Sequence, residues 1–505
     1  MSLPFQDLGF QFDNSFVHLG AHFSQNVLPS HSTSPSLLAF NHGLARELSM
    51  APYCSTYLDC FVGNKLPAGA SPVSQVYAGH QFGHFNPQLG DGRAVLLGEI
   101  ISPTLGRVDL QLKGAGRTPF SRGGDGRAAL GPVLREYLLS EAMHALGVPT
   151  TRALAAVGTG DAVTREGRLP GAVLTRIASS HIRVGTFEYF ARRGEMKQVK
   201  ILADYVIQRH YPQCAVAANP YVALFDCIAE AQAVLVSRWL SLGFVHGVMN
   251  TDNTSVCAET IDYGPCAFLD TYSELASFSS IDTGGRYAYG NQGKIILWNL
   301  ARLAECLLRL MDDDVDCAVR IAEERLSAFP AILEAHWVDI MAAKLGLRLS
   351  DGVVDILLVK PLIQDLLVLM EEGGADFTLA FRLLGNGLVG GDYSPFKALF
   401  AGAVDTADWI ARWHQALSLY GLAELEVGRL MQDINPSVIP RNHQVELALE
   451  EALNIYDSGA EEQTFPRFNA LLEAMGDPYS VRHDGSVLAE PPLRSGVPYR
   501  TFCGT

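Results

Sequence analysis

Apolar and polar residues alternate with a period of two over residues 107–113, where Val108, Leu110 and Leu112 interleave with Asp109, Gln111 and Lys113. That is the spacing of a half-buried strand. A second apolar run over 93–101 (RAVLLGEII) precedes it across the Pro103–Gly106 turn, and residues 153–157 and 171–177 read as further strands. Between the two strand pairs, glycine-rich residues 114–131 lead to Pro132, a good first helical residue, and a helix that stops at Gly147. From about residue 199 the period changes to that of helices. One long apolar helix covers 221–242 and ends at Gly243; others are expected over 293–311, 317–327, 330–345, 353–371, 405–419 and 440–454. The stretch from about 476 onward reads as loop. A strand-rich first part, a helical second part and polar segments between them predict an α+β fold with a cleft between two lobes.

Composition narrows the function classes. With 48% hydrophobic and 18% charged residues, the chain has material for a large core, which argues against long disorder. A formal net charge of −16 repels nucleic-acid phosphates and anionic lipids, so neither is expected as a partner. Within this acidic chain, Arg107, Lys113, Arg117, Arg122 and Arg127 stand against only Asp109 and Asp125, a cationic, glycine-rich island that is a candidate anion site or a solvated loop. The nine cysteines form no C-x-x-C pair, the N-terminus lacks a basic-then-apolar leader, and apolar segments are broken by charge, as at Asp355 and Lys360. The expectation is a reduced, cytoplasmic protein without a membrane span.

The chemistry is concentrated in His246-Gly247-x-x-x-x-Asp252-Asn253 and Ile261-Asp262-Tyr263-Gly264. Kinase catalytic loops read H-R-D-x-x-x-x-N, followed by D-F-G. Asn253 falls in register seven residues after His246, and Asp262-Tyr263-Gly264 matches the second element, so both offer oxygen ligands to Mg²⁺. The position of the kinase base is Val248, which accepts no proton; Asp252 supplies a displaced carboxylate instead. The competing reading of N-T-D-N is a simple turn. Upstream, Lys113 ends a strand, and the helix after the glycine-rich loop carries Glu136 and Glu141, either of which could hold it; periodicity does not choose, since the helix is apolar almost all round. Leu89-Gly90-Asp91-Gly92-Arg93 could bring backbone N–H groups to phosphate, or be a turn.

The segments LGDGRAVLLGE, LQLKGAGRTPFSRGGDGRA, VLREYLLSEAMHALGVPTTRAL, SHIRVGTFE, HGVMNTDN, IDYGP, GGRYAYGNQ and NPSVIPRNH resemble the selenoprotein O family, kinase-fold protein adenylyltransferases, from roughly residue 5 to the terminal FCGT. The resemblance implies a protein-kinase-like two-lobed fold: an N-lobe over 1–180, a helical C-lobe over 181–475 and a tail over 476–505. It implies ATP bound in inverted orientation, so that AMP passes to Ser, Thr or Tyr hydroxyls of proteins, with the chain itself among the candidate substrates. It assigns Asp252 as general base and Asn253 and Asp262 as ligands of Mg²⁺, with Mn²⁺ the alternative ion. Lys113, paired with Glu136, would hold phosphate, and Gly90, Gly92, Arg93, Asp125, Gly126, Arg176, Arg183 and Asp262 would complete the nucleotide site. Without the resemblance, Arg176 and Arg183 read equally as structural ion pairs. Cys503 stands where animal members carry selenocysteine, but the segment SFSSIDTGGRY lacks the second cysteine that some members have, so no disulfide partner is named. Three alternatives stay open: a silent nucleotide-binding scaffold, a kinase transferring the γ-phosphate, and a UTP-using uridylyltransferase.

Overall fold

The computed structural model describes residues 5–165, 167–347, 356–400, 402–419, 423–459, 464–493 and 499–501; Cys503 and the first residues of the helix expected over 353–371 lie outside these. The N-terminal half is built on an antiparallel sheet whose strands run in the order Ser24–Asn26, Val73–Gln75, Ala94–Ser102, Gly106–Lys113, Arg168–Ala178, Arg152–Thr164 and Ser36–Phe40, with the short strand Ala128–Ala129 added on Arg168–Ala178. All four strands read from the sequence are present. The three outermost were not legible, because Ser24–Asn26 and Val73–Gln75 are only three residues long and Ser36–Phe40 is preceded by a Ser-rich stretch without alternation.

The strand Gly106–Lys113 departs from a half-buried strand. Its apolar side packs with Val95, Leu154, Val173 and the short helix Leu58–Val62. Its polar side is covered as well: Asp109 and Gln111 are 1% and 0% exposed. Asp109 accepts from Arg209, on the helix Met196–His210, at 2.7 Å and sits 2.8 Å from His181 Nδ1. Burying polar groups is tolerable only when each finds a partner, and here Arg209 from a helix, His181 from a loop and Arg176 from the next strand supply them.

The helix Leu130–Ala145 packs on the strands Arg152–Thr164 and Arg168–Ala178, and the rest of the chain adds helices. Pro220–Leu242 ends at Gly243 with φ 70°, the left-handed cap that glycine provides. This helix is long and apolar enough to span a membrane, which the charge-interruption argument overlooked. In the fold its buried side meets Gln292–Met311 and Val315–Lys344, as a core helix does. The two helices expected over 317–327 and 330–345 are one, Val315–Lys344, running through Pro330. Proline there removes one backbone hydrogen bond at a cost of about 3 kcal/mol, which the packing of both halves offsets. Helices Ile356–Gly373, Phe377–Gly390, Ala407–Ser418, Glu424–Ile434, Asn442–Asp457 and Pro466–Met475 follow in the second half, where Phe377, Phe381, Trp409 and Trp413 share a core.

That core encloses a lysine. Lys344 is buried, and among the described residues its ammonium meets only the rings of Phe381, at 4.5 Å, and Phe377, at 5.8 Å. Burial pushes it down to about 7. The unfolded chain therefore holds a proton there between about pH 7 and 10.5 that the folded chain releases, so native stability rises with pH across that window. Lys344→Met keeps the packing and removes the charge. It is expected to raise Tm at pH 7, with a gain that shrinks toward pH 10; thermal unfolding followed by circular dichroism across this range checks it, and a lower Tm at pH 7 would refute it.

Candidate functional site

The sheet and the segments around 183, 250 and 262 converge on a cavity of about 380 Å³, lined by Lys113, Arg176, Arg183, Asp252, Asn253 and Asp262 among others. The sheet register explains the cations. Gln111 pairs with Arg176 and Lys113 with Leu174 on the neighbouring strand, so Lys113 and Arg176 emerge near one another. Both meet one carboxylate: Lys113 Nζ lies 2.5 Å from Glu136 Oε2, and Arg176 Nε donates to Glu136 Oε1 at 2.9 Å. Burial works to raise the Glu136 carboxyl, but Arg176 and Lys113 hold it below the ordinary carboxylate range.

This settles the choice between the two glutamates. Glu141, five residues on, faces the other way and accepts from Arg152 Nε at 2.9 Å and Nη2 at 2.8 Å. Arg176 also donates to Gln111 Oε1 at 3.2 Å, and Arg183, which caps the helix Val184–Ala191, stacks over Tyr77 at 4.3 Å and lies 3.6 Å from Asp91. The arginines are thus both structurally paired and on the cavity wall.

Asp252 and Asp262 enter from the other side, on irregular backbone. Asp252 sits in a 3-10 turn, Thr251–Asn253; Asp262 has φ 70°, a left-handed conformation that Asp and Asn tolerate better than most residues. Their environments differ. Burial pushes Asp252 up to about 6, with the Gln81 amide and Arg183 acting against it. For Asp262 burial is outweighed by Lys113, 3.4 Å away, and by Arg93, His246 and Arg176, and its carboxyl is held well below the usual range. His246, the first residue of the motif, is buried and bonds the Ile261 carbonyl oxygen through Nε2 at 2.9 Å, tying the two motifs together. Val248 also lines the cavity, without a proton-accepting group.

Asn253 donates from Nδ2 to the Val248 carbonyl at 3.1 Å, and the same nitrogen is 3.3 Å from Asp262 Oδ2. Its carbonyl oxygen is left as its ligand atom, beside an anionic carboxylate. Two hard oxygen donors fit a cation such as Mg²⁺, which takes few protein ligands and the remainder from phosphate and water. No group of three or more His, Cys, Asp or Glu suited to a metal occurs among the described residues.

A second cavity, of about 530 Å³, adjoins the first and shares Tyr77, Gly92, Arg93 and Arg122 with it. Gly90, Asp125 and Gly126 line this one rather than the first. Gly90 and Gly126 have φ 70° and 67°, and a Cβ on either would collide, with the Phe120 ring at 2.3 Å or the Gly116 carbonyl oxygen at 2.1 Å. Asp125 spends both oxygens on Arg165, at 2.9 and 3.1 Å, and that hydrogen-bonded pairing lowers its carboxyl. Sequence reasoning missed Tyr77, Gln81, Asn250 and Arg165 as wall residues. Only the pair Phe82-Gly83, a two-residue turn flanked by GHQ and HFN, marked the segment that brings Gln81 in.

The chain is similar to known proteins over nearly its whole length. Residues 6–475 match the family described as protein adenylyltransferase SelO. A protein nucleotidyltransferase YdiU of Agrobacterium fabrum is 50% identical over 499 residues, covering 98% of this chain and 100% of the relative. One of Geobacillus kaustophilus is 50% identical over 502 residues, covering 99% and 100%. Near-complete coverage in both directions at this identity leaves one conclusion: the chain belongs to the SelO family of protein nucleotidyltransferases.

Proposed function

We propose that this protein transfers AMP from ATP to Ser, Thr or Tyr hydroxyls of proteins, itself included, in a kinase-like, two-lobed cleft. The lobes would divide near residue 180, with 181–475 as the helical lobe and 476–505 as a tail. The observation that carries the reading is the convergence, around one cavity, of Lys113, Arg176 and Arg183 with Asp252, Asn253 and Asp262. Lys113 and Arg176 share the carboxylate of Glu136 and Arg183 stands beside Asp91, yet all three reach the cavity, and cations so placed suit a polyanion. Asp252 is the carboxylate of the pair whose environment favours taking up a proton, and Asp262 the one kept charged.

In this reading a hydroxyl oxygen of the acceptor attacks the α-phosphorus in line. The bond to the bridging oxygen of pyrophosphate breaks, and the hydroxyl proton passes to Asp252. Lys113, Arg176 and Arg183 stabilise the departing pyrophosphate, and Gly90, Gly92, Arg93, Asp125 and Gly126 cradle the remainder of the inverted nucleotide. Asn253 and Asp262 would hold Mg²⁺ (or Mn²⁺), which when bound neutralises phosphate charge.

Parallel reactions with α-labelled and γ-labelled ATP test this. Label is expected on protein from the α position alone. Label from the γ position would return the site to a kinase. Binding without any label would favour a scaffold, the reading that Val248 at the usual base position suggests. The matching family is named for adenylyl transfer while the relatives are named for nucleotidyl transfer, so α-labelled UTP belongs in the same experiment. Stronger labelling from UTP would make the chain a uridylyltransferase.

A further inference from the structure

Residues 79–86 form a small hairpin outside the main sheet, with Gly79 opposite Asn86, His80 opposite Phe85 and Gln81 opposite His84. Its turn is Phe82-Gly83, with φ 51° and 83°. A two-residue turn with both φ positive matches the twist of a hairpin, but it favours Asn or Gly at the first position. Phenylalanine there is strained and persists where its surroundings fix it.

Those surroundings are the catalytic segment. The Phe82 N–H donates to Asn250 Oδ1 at 3.1 Å, and the Phe82 ring packs on Tyr287, whose hydroxyl donates to the same Asn250 oxygen at 2.6 Å. The His80 N–H donates to Thr251 Oγ1 at 2.7 Å. The His80 ring bonds Glu188, which also accepts from Thr251. Between these anchors Gln81 Nε2 donates to Asp252 Oδ2 at 3.2 Å. Three successive hairpin residues thus hold Asn250, Thr251 and Asp252. The approach is close enough that a Cβ on Gly79 would lie 2.8 Å from Asp252 Oδ1.

The two carboxylate oxygens of Asp252 are therefore unlike. Oδ2 is held by Gln81, whereas Oδ1 is buried and has no hydrogen-bond partner among the described residues. With Oδ1 buried against the Gly79 backbone and without a partner, the Gln81 amide is the side-chain hydrogen bond among the described residues that fixes how this carboxylate is turned.

We propose that Gln81 is a positioning residue whose amide clamps Oδ2 of Asp252 and so fixes the orientation in which this carboxylate receives the acceptor's proton. The inference rests on the reading of Asp252 as the base. Gln81 acts through Asp252, and the hairpin is the device that carries it there.

The test is transfer of α-label from ATP to the full-length chain by Gln81→Leu and by Gln81→Glu, which keeps the shape and replaces the donor with a carboxylate. Both are expected to lower the rate at saturating ATP by about tenfold to a hundredfold, the penalty of a misplaced reacting group. The ATP concentration for half-maximal rate and the affinity for ATP with MgCl2, measured by calorimetry, should stay within about twofold of the native values, which also establishes that each variant is folded. In an Asp252→Asn background, Gln81→Leu should cause no further loss, because its effect runs through the missing base. A native rate in Gln81→Glu, or the same fractional loss with and without Asp252, would overturn the positioning role while leaving the base intact. A native rate in Asp252→Asn alone would overturn the base reading and this inference together.

Discussion

Asp252→Asn is expected to bind ATP as the native chain does and to transfer AMP about a hundredfold to ten-thousandfold more slowly, the range for loss of a positioned base. Asparagine preserves the size of the side chain, which matters because Asp252 packs closely against Gly79. The amide accepts no proton at neutral pH, so the chemistry alone is removed. Nucleotide affinity should survive because Lys113, Arg176, Arg183 and Asp262 stay in place. Single-turnover transfer of α-label, measured beside calorimetric ATP affinity, separates the two quantities. A variant that keeps its rate would show that the hydroxyl proton leaves by another route; one that loses ATP affinity in proportion would make Asp252 a binding residue.

Asp262→Asn should abolish both transfer and the dependence of ATP affinity on MgCl2, with a rate loss of about a hundredfold or more. Asparagine is the informative choice, because at φ 70° alanine would add backbone strain that asparagine tolerates. The substitution removes the charge that Lys113, Arg93 and Arg176 face and leaves a neutral oxygen beside Asn253. Native ATP affinity that rises with MgCl2 as strongly in the variant as in the wild type would move the cation elsewhere. Unlike Asp252→Asn, this variant should fail in binding as well as in turnover.

Several features were legible in the sequence because they are local. The strands around Lys113 and Arg176, the Gly147 and Gly243 helix ends and the spacing from His246 through Asn253 to Asp262 depend on neighbours a few residues away. Alternation and capping report such neighbours directly. The cationic island around Lys113 was visible for the same reason, and Lys113 does reach the cavity.

Other features depend on which distant segments meet. Glu136 and Glu141 lie on one helix with an almost unbroken apolar pattern; only the crossing of that helix over the sheet turns the first to Lys113 and Arg176 and the second to Arg152. The alternating polar side of Gly106–Lys113 could equally have faced water, and it became a buried charged layer because Arg209 and His181 arrive from later in the chain. Gln81 and Asp252 are separated by 171 residues, and no spacing links them. By itself the sequence determined the central strands, the helix ends and, through long matching segments, the family. The tertiary structure decided which glutamate holds the lysine and what holds the Asp252 carboxylate, because a side chain's partners are set by the packing of whole elements, to which a local period of two or 3.6 residues is blind.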